Sequence, residues 1–214
     1  GTLDKKLKDL SLNSPLNYTE LSRTFNLLGA YGFTYDQIMN QQFGRMSGML
    51  DLVNNMGAAL GANSQTTFQI ILALGQIQQK GKVMAQEARQ LAEKGVNAYG
   101  VLKKAMESTA LAGERASSGM LLSDIAKSQE AIQEWATTTG ADGKRATEIL
   151  FNALGGDDRY KDAVATFHET LKGRQVATEN LKQIMEQSLG GAVGGVEKGK
   201  LWALRQFYHT IIAI

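Results

Sequence analysis

The sequence predicts an all-α fold, a multi-helix globular domain punctuated by glycines, and three observations carry that expectation. There is a single proline, Pro15, so almost nothing in the chain forbids helix. There are 23 glycines in 214 residues, well above the usual share of roughly 7%, and glycine readily supplies the left-handed turn that ends a helix. Apolar residues recur at three- and four-residue spacing, and no run of alternating β-branched residues suggests a sheet. Hydrophobic residues make up 43% of the chain and charged ones 21%, enough at this length to bury a sizeable core.

Leu3, Leu7 and Leu10 share a face beside Lys5, Lys6, Lys8 and Asp9, which gives a short amphipathic helix that Pro15 breaks. Asn17 or Thr19 caps the next, with Leu21, Phe25 and Leu28 inward and Gly29 or Gly32 closing it. Thr34 and Gln37 have capping-box spacing. Ile38, Met39, Met46, Met49, Leu50 and Val53 follow, as one long helix or, because of Gly44 and Gly48, as two short ones. Gly61 to Asn63 is a turn, and Ser64 or Gln65 opens a strongly apolar helix with Phe68, Ile71, Leu72, Gly75 and Ile77. That helix ends at Lys80-Gly81-Lys82, expected to be an exposed turn between two antiparallel helices. Helices over Met84–Lys94, with Ala88, Leu91 and Ala92 inward, and over Asn97–Glu107, with Tyr99, Leu102 and Met106 inward, are separated by Gly95. Ser108–Gly119 is small and polar and reads as the loosest segment. Further helices are expected over Leu121–Thr138, Asp142–Leu154, Asp157–Leu171, Val176–Leu189 and Val196–Ile212, with breaks at Gly140, Gly155-Gly156, Gly173 and Gly190-Gly191. No fixed repeat period is present, which argues against a solenoid.

The absence of cysteine excludes disulfides, thiolate metal sites and a cysteine nucleophile. A formal net charge of +2 is too small for bulk attraction to nucleic acid. Residues Gly1 to Asp9 carry no apolar signal-peptide core, and no run of about 18 apolar residues is present. Gly1 is not a natural initiator, and Leu201–Ile214 stops while still apolar, so the chain is expected to be a piece of a longer protein.

Chemistry-bearing patterns are sparse, and no catalytic, cofactor-binding or metal-binding residue is assigned. His168 and His209, the two histidines, have no second histidine within a helical turn. No Gly-x-Ser-x-Gly elbow accompanies the serines. The carboxylate pairs Asp157/Asp158 and Glu130/Glu134 read as solvated helix surface in preference to a glycosidase pair. Gly190 to Gly195 lacks the preceding strand and the closing Lys-Ser/Thr of a phosphate loop, so it reads as a hinge. The lysines of Lys80-Gly81-Lys82 suit the negative end of a helix dipole better than a nucleic-acid patch. Five of eight methionines lie between Met39 and Met84, and core filling is preferred there over an adaptable partner groove.

One stretch is distinctive. Leu72 to Val96 runs Leu-Ala-Leu-Gly-Gln-Ile-Gln-Gln-Lys-Gly-Lys-Val-Met-Ala-Gln-Glu-Ala-Arg-Gln-Leu-Ala-Glu-Lys-Gly-Val. It resembles the tape measure domain of phage tail proteins, in which an apolar helix ends in Gln-Ile-x-x-Lys-Gly-Lys and is followed by a Met- or Glu-containing turn and Arg/Asn-Gln-Leu-Ala-Glu-x-Gly-Val/Ile. The matching positions are Gln76, Ile77, Lys80, Gly81, Lys82, Met84, Glu87, Arg89, Gln90, Leu91, Ala92, Glu93, Gly95 and Val96. Tyr99 to Ala105 resembles the short helix that comes next. Upstream, Ser14-Pro15, Tyr18, Glu20, Leu21 and Leu28 to Phe33 are similar to the family's opening. Downstream, Asp142 to Glu148 matches a Gly-Lys-x-Ser-x-x-Glu segment more loosely. The chain departs from the family at Asn97, usually proline, at Tyr99, often tryptophan, and in a longer interval between Met106 and Gly140.

The resemblance implies structural work and no enzymatic activity or cofactor. Residues 1–156 would be the tape-measure-type helical domain, with 157–214 a helical extension continuing into a longer protein. Such proteins set tail length during assembly and take part in genome ejection. Their partners would be tail tube proteins, tail assembly chaperones and baseplate or tail tip proteins, with the host envelope met on ejection, self-association possible and no specific nucleic acid bound. The location would be the virion tail-tube lumen, and the host cytoplasm during assembly.

Two alternatives stand beside this. A membrane-active or channel-forming helical module is motivated by the apolar Leu201–Ile214 segment, and vesicle leakage with and without residues 196–214 separates it. A cell-wall hydrolase would need turnover lost on replacing Glu87, Glu130 or Glu134.

Overall fold

The computed structural model describes residues 2–12 and 14–190. The expected helix over Val196–Ile212, the glycine cluster after Gly190 and the apolar Leu201–Ile214 segment lie outside the described residues.

The described chain is all-α, apart from one small hairpin. In order it runs α1 (Thr2–Leu12), α2 (Tyr18–Ala30), α3 (Tyr35–Met39), β1 (Gln42–Phe43), β2 (Met46–Ser47), α4 (Met49–Ala59), α5 (Ser64–Lys80), α6 (Ala85–Ala92) and α7 (Ala98–Met106). It continues through α8 (Leu122–Ile125), α9 (Gln129–Thr137), α10 (Ala141–Gly156), a 3-10 turn (Asp158–Tyr160), α11 (Ala163–Glu169) and α12 (Leu171–Gly190). The core is one cluster running from Leu7 to Tyr160, in which α4, α5, α7 and α10 supply most of the fully buried side chains.

Helix starts follow the expected capping chemistry. Asn17 and Glu20 form a capping box at α2, Thr34 and Gln37 form another at α3, and Asn63 accepts from the Thr66 N–H at α5. Glycine closes several helices by one device. At Gly32, Gly61 and Gly95, each with positive φ, the glycine N–H and the next residue's N–H turn back onto two carbonyls of the helix just ended. That arrangement satisfies carbonyls the helix would otherwise leave without donors.

The structure corrects the expectation at several places. Between α3 and α4 lies an antiparallel hairpin pairing Gln42 with Ser47 and Phe43 with Met46, where the sequence suggested only helix. Gly44 sits at its tip with φ 57°, the position where a tight hairpin needs a positive φ. Leu121–Thr138 is two helices, because Ser128 accepts from the Ala131 N–H and starts α9 afresh. Asp157–Leu171 is broken by the 3-10 turn, by Asp162 at φ 53° and by Thr170 in extended backbone. Gly173 is no break, for it lies in the first turn of α12. Leu72 points to solvent at 38% exposure, since the inward face of α5 is carried by Ile70, Ile71, Leu74 and Ile77; Ala92 is exposed as well. Ser108–Gly119, expected to be loose, is tied to α10. Arg145 holds both oxygens of Glu114 at 2.6 and 2.8 Å, and Asp142 accepts from the Ser117 N–H and hydroxyl, each at 2.9 Å. The methionines at 46, 49, 56 and 106 are core residues.

Helix α10 interlocks with the hairpin. The Arg45 N–H donates to the Gly155 carbonyl at 2.9 Å, and a Cβ on Gly155 would lie 1.9 Å from the Phe43 carbonyl oxygen. Gly155→Ala should therefore cost about 1–3 kcal/mol, read from chemical denaturation. Gly156→Ala, where nothing lies within 4 Å, should be neutral or stabilising by up to about 1 kcal/mol. Equal losses in the two variants would show that the interlock contributes nothing.

The Arg145 guanidinium holds the Glu114 carboxyl below its ordinary value. A carboxylate lowered on folding stabilises the native state above its unfolded pKa, about 4.5, and the contribution fades as pH falls through the folded value. The stability gap between the wild type and Glu114→Gln should thus be widest near pH 6 and shrink towards pH ~3. A gap independent of pH would contradict the ion pair.

Candidate functional site

The Leu72–Val96 stretch is the one part of the sequence with a specific signature, and it folds into α5, a tight connection and α6. Gly81 ends α5 in left-handed backbone, φ 60°, with its N–H returned to the Ile77 and Gln78 carbonyls. Val83 is fully buried, and its N–H leaves the local structure to donate to the Ala136 carbonyl at 2.9 Å. Lys80 is exposed and Gly81 and Lys82 are half-buried, so the connection is less open than the sequence suggests. The reason is α10: a Cβ on Gly143 would stand 2.1 Å from the Thr138 carbonyl oxygen and 2.9 Å from that of Gly81. Backbone meets backbone there.

At the centre of the stretch is a buried ion pair. The Glu87 side chain is 0% exposed and its Oε1 lies 2.5 Å from Lys80 Nζ, whose side chain is 41% exposed. The lysine reaches from the end of α5 over the connection to the first turn of α6. The second carboxylate oxygen, Oε2, has no hydrogen-bond partner. Tyr99 stands nearby and donates to the Val83 carbonyl at 3.3 Å. Burial, and secondarily the Glu87 charge, raise the Tyr99 hydroxyl's pKa above its ordinary value.

The remaining signature residues span core, surface and, at Gln76, Met84 and Gln90, half-buried positions. Ile77, Leu91 and Val96 are core, and Arg89, Ala92 and Glu93 face solvent. Gly95 supplies the positive-φ cap between Leu91 and Val96, whose N–H donates to the Leu91 carbonyl at 2.9 Å. At two of the positions where the chain departs from the resembled pattern, Asn97 caps α7 by accepting from the Gly100 N–H, and Tyr99 is buried. The signature therefore builds a corner in the core, with Lys80, Arg89 and Glu93 on its outer side.

The acids weighed for chemistry are neighbours within their pairs, Glu130/Glu134 on α9 and Asp157/Asp158 after α10, and form no larger cluster among the described residues. Glu130 and Glu134 are exposed on α9, far in role from the buried Glu87. Asp157 accepts from Arg159, and Asp158 pairs with Arg45 across the α10–hairpin junction. His168, on α11, sits edge-on to Phe167 with ring centroids 6.3 Å apart. His209 lies outside the described residues. Among the described residues, no group of three His, Asp or Glu side chains could hold a metal ion, and no helix is long and apolar enough to cross a membrane.

An open groove lies between α1 and the α3–α4 region, lined by Leu10, Ile38, Met39 and Leu50 together with Lys6, Asp9 and Asp51. Burial raises the Asp51 carboxyl, although the Ser47 N–H and the Asn55 amide donate to it and pull the other way.

Sequence reasoning missed the Lys80–Glu87 pair and the Arg145–Glu114 clamp. The first has a weak local signal, since a Gly turn between two helices folds positions 80 and 87 onto each other. The second, 31 residues apart, has none.

Removing the lysine strands a buried carboxylate, whereas neutralising the acid does not. Lys80→Met should cost about 2–3 kcal/mol, below the roughly 3–5 of a fully enclosed pair because Lys80 is partly solvated. Glu87→Gln, which keeps shape and an acceptor, should cost about 1 kcal/mol. The double variant should recover part of the Lys80→Met loss, and strict additivity in a double-mutant cycle would rule out the coupling.

Compared with known proteins, the chain matches no family model, no curated protein and no solved structure.

Proposed function

We propose that this chain is a folded helical module of a phage tail tape measure protein, a structural component that sets tail length during assembly and takes part in genome ejection. The observation that carries the reading is the Leu72–Val96 stretch, whose fourteen matching positions resemble the tape measure domain in type and order. The way those positions fold gives it support. The signature residues serve a structural corner of α5 and α6, which suits a protein that works by assembling and not by catalysis.

The proposed role divides between regions. A helix rises about 1.5 Å per residue, so a ruler is best made from long uninterrupted helix. Here the longest helices within the described residues, α12 and α5, have 20 and 17 residues. This module is then the compact part that meets tail tube subunits, assembly chaperones and tip proteins, and the ruler helices lie elsewhere in the protein.

Two measurements test it. The gene should sit in a long reading frame between tail-tube or chaperone genes and distal tail genes, and a short frame away from any tail genes would sink the proposal. In-frame deletion within the ruler region should shorten tails in electron micrographs by about 1.5 Å per residue removed. Tails of unchanged length would show that this protein does not measure them.

A further inference from the structure

Helix α12 is held to the body more lightly than its neighbour α11. Its neighbour α11 is anchored by Ala163 and Phe167, both buried, and by the Val164 N–H, which donates to Asn55 of α4 at 3.2 Å. Among residues 172–186 of α12, by contrast, only Gly173 and Asn180 are buried, and Val176, Ala177, Leu181, Ile184 and Met185 are half-buried. The buried Asn180 carries the attachment. Its amide donates to the Ser11 carbonyl at 2.7 Å, with the Ser14 and Leu16 carbonyls at 3.4 and 3.5 Å. These carbonyls lie where α1 stops and the chain turns into α2. Carbonyls at a helix end need donors from outside the helix, and the Asn180 amide is one. Behind them the Ser14 hydroxyl donates to the buried Asn54 of α4 at 3.1 Å, which fixes the corner to the core.

The joint between α11 and α12 is a single residue. Thr170 is extended, φ −76° and ψ 154°, and holds the bend from both sides: its hydroxyl donates to the Phe167 carbonyl at 2.6 Å and accepts from the Gly173 N–H at 2.9 Å. The bend is tight enough that a Cβ on Gly173 would stand 1.9 Å from the Phe167 oxygen. In a straight helix the same two positions are nearly two turns apart and do not meet. If Thr170 becomes helical, α11 and α12 join into one rod and α12 leaves its own α1–α2 corner.

We infer that α12 is a hinged latch that opens at Thr170–Gly173, and that the uncovered corner accepts the α12 of a second copy of this chain, giving a swapped dimer. A second copy is the natural occupant because it offers the same asparagine to the same three carbonyls, so the exchange conserves every contact except the bend. The latch is weak because a hydrogen-bonded amide is worth little net beside a buried apolar face. This inference does not rest on the proposed function.

Hydrogen exchange of the intact wild-type chain comes first. The α12 amides should exchange by local opening at least ~10-fold faster than those of α5 and α10; equal protection overturns the latch. Gly173→Ala, which cannot keep the bend, should then form a concentration-dependent dimer by light scattering. Thr170→Ala, a milder change that removes both hinge hydrogen bonds, should do so at higher concentration, and it is the deciding variant if Gly173→Ala does not fold. A folded, monomeric Thr170→Ala with wild-type exchange in α12 overturns the hinge. Adding Asn180→Leu should abolish the dimer, and a dimer that survives it overturns the corner as the docking site.

Discussion

The fold depends on how closely α10 can approach its neighbours. At each end it carries a residue with no side chain where another backbone arrives: Gly143 against the carbonyls of Thr138 and Gly81, and Gly155 against that of Phe43. Between these points Ile149, Leu150, Phe151 and Leu154 are all buried, and Phe151 stands between the rings of Phe33 and Phe43 at 5.8 and 6.1 Å. Side chains at positions 143 and 155 would hold the helix off at both ends, and the apolar layer between would lose its fit, because a packed interior does not yield smoothly to extra atoms. The α5–α6 corner, the hairpin and the 114–117 segment all take their positions from a helix seated this deeply.

Glycine thus works here in two ways, and only one is legible in the sequence. Its use as a helix terminator is local: Gly32, Gly61, Gly81 and Gly95 follow apolar helical runs, and each closes one with positive φ. The capping boxes at Asn17 and Thr34 are equally local, which is why the starts of α2 and α3 and the ends of α2, α4, α5 and α6 follow from pattern alone. Gly143 and Gly155 lie within a helix, where pattern treats glycine as a small cost. Gly143 is crowded first by the Thr138 carbonyl five residues before it and then by Gly81, more than 60 residues away, and Gly155 by Phe43, more than 100 away; periodicity carries no trace of the distant partners. The hairpin escaped for a related reason. Two-residue strands have too little alternation to register, and Phe43 is fixed by α10, and β2 by α4, and not by their own propensity. At the Leu121–Thr138 region the error ran the other way, since a continuous helical pattern hid a cap at Ser128.

The polar interior was the least legible part of the site. Glu87 looks like any acid on an amphipathic helix, yet it is enclosed, and Asn180 looks like a surface residue of a polar helix, yet it is buried. Each is placed by a structure that neither helps to announce. Such groups discriminate in a way apolar faces do not. A leucine face can slide along another for little cost, whereas a buried carboxylate without its lysine, or three carbonyls without an amide, carries a penalty set by geometry. Lys80–Glu87 accordingly fixes the angle between α5 and α6, and Asn180 fixes where α12 rests.

These two polar devices differ in what surrounds them, and that difference bears on how the module would serve a long filamentous assembly. Glu87 is fully enclosed while its lysine is partly solvated, so parting the pair strands a carboxylate inside the corner. Asn180 belongs to a helix whose apolar positions are only half covered, so its contact can break while the core beneath stays intact. On the latch inferred above, the chain is a rigid body followed by a helix that leaves it at one hinge. Under the proposed function, a tape measure module would be compact where it recruits partners and extended where it measures, and the joint at Thr170, where α11 ends and α12 begins, is the place where the one state would pass into the other.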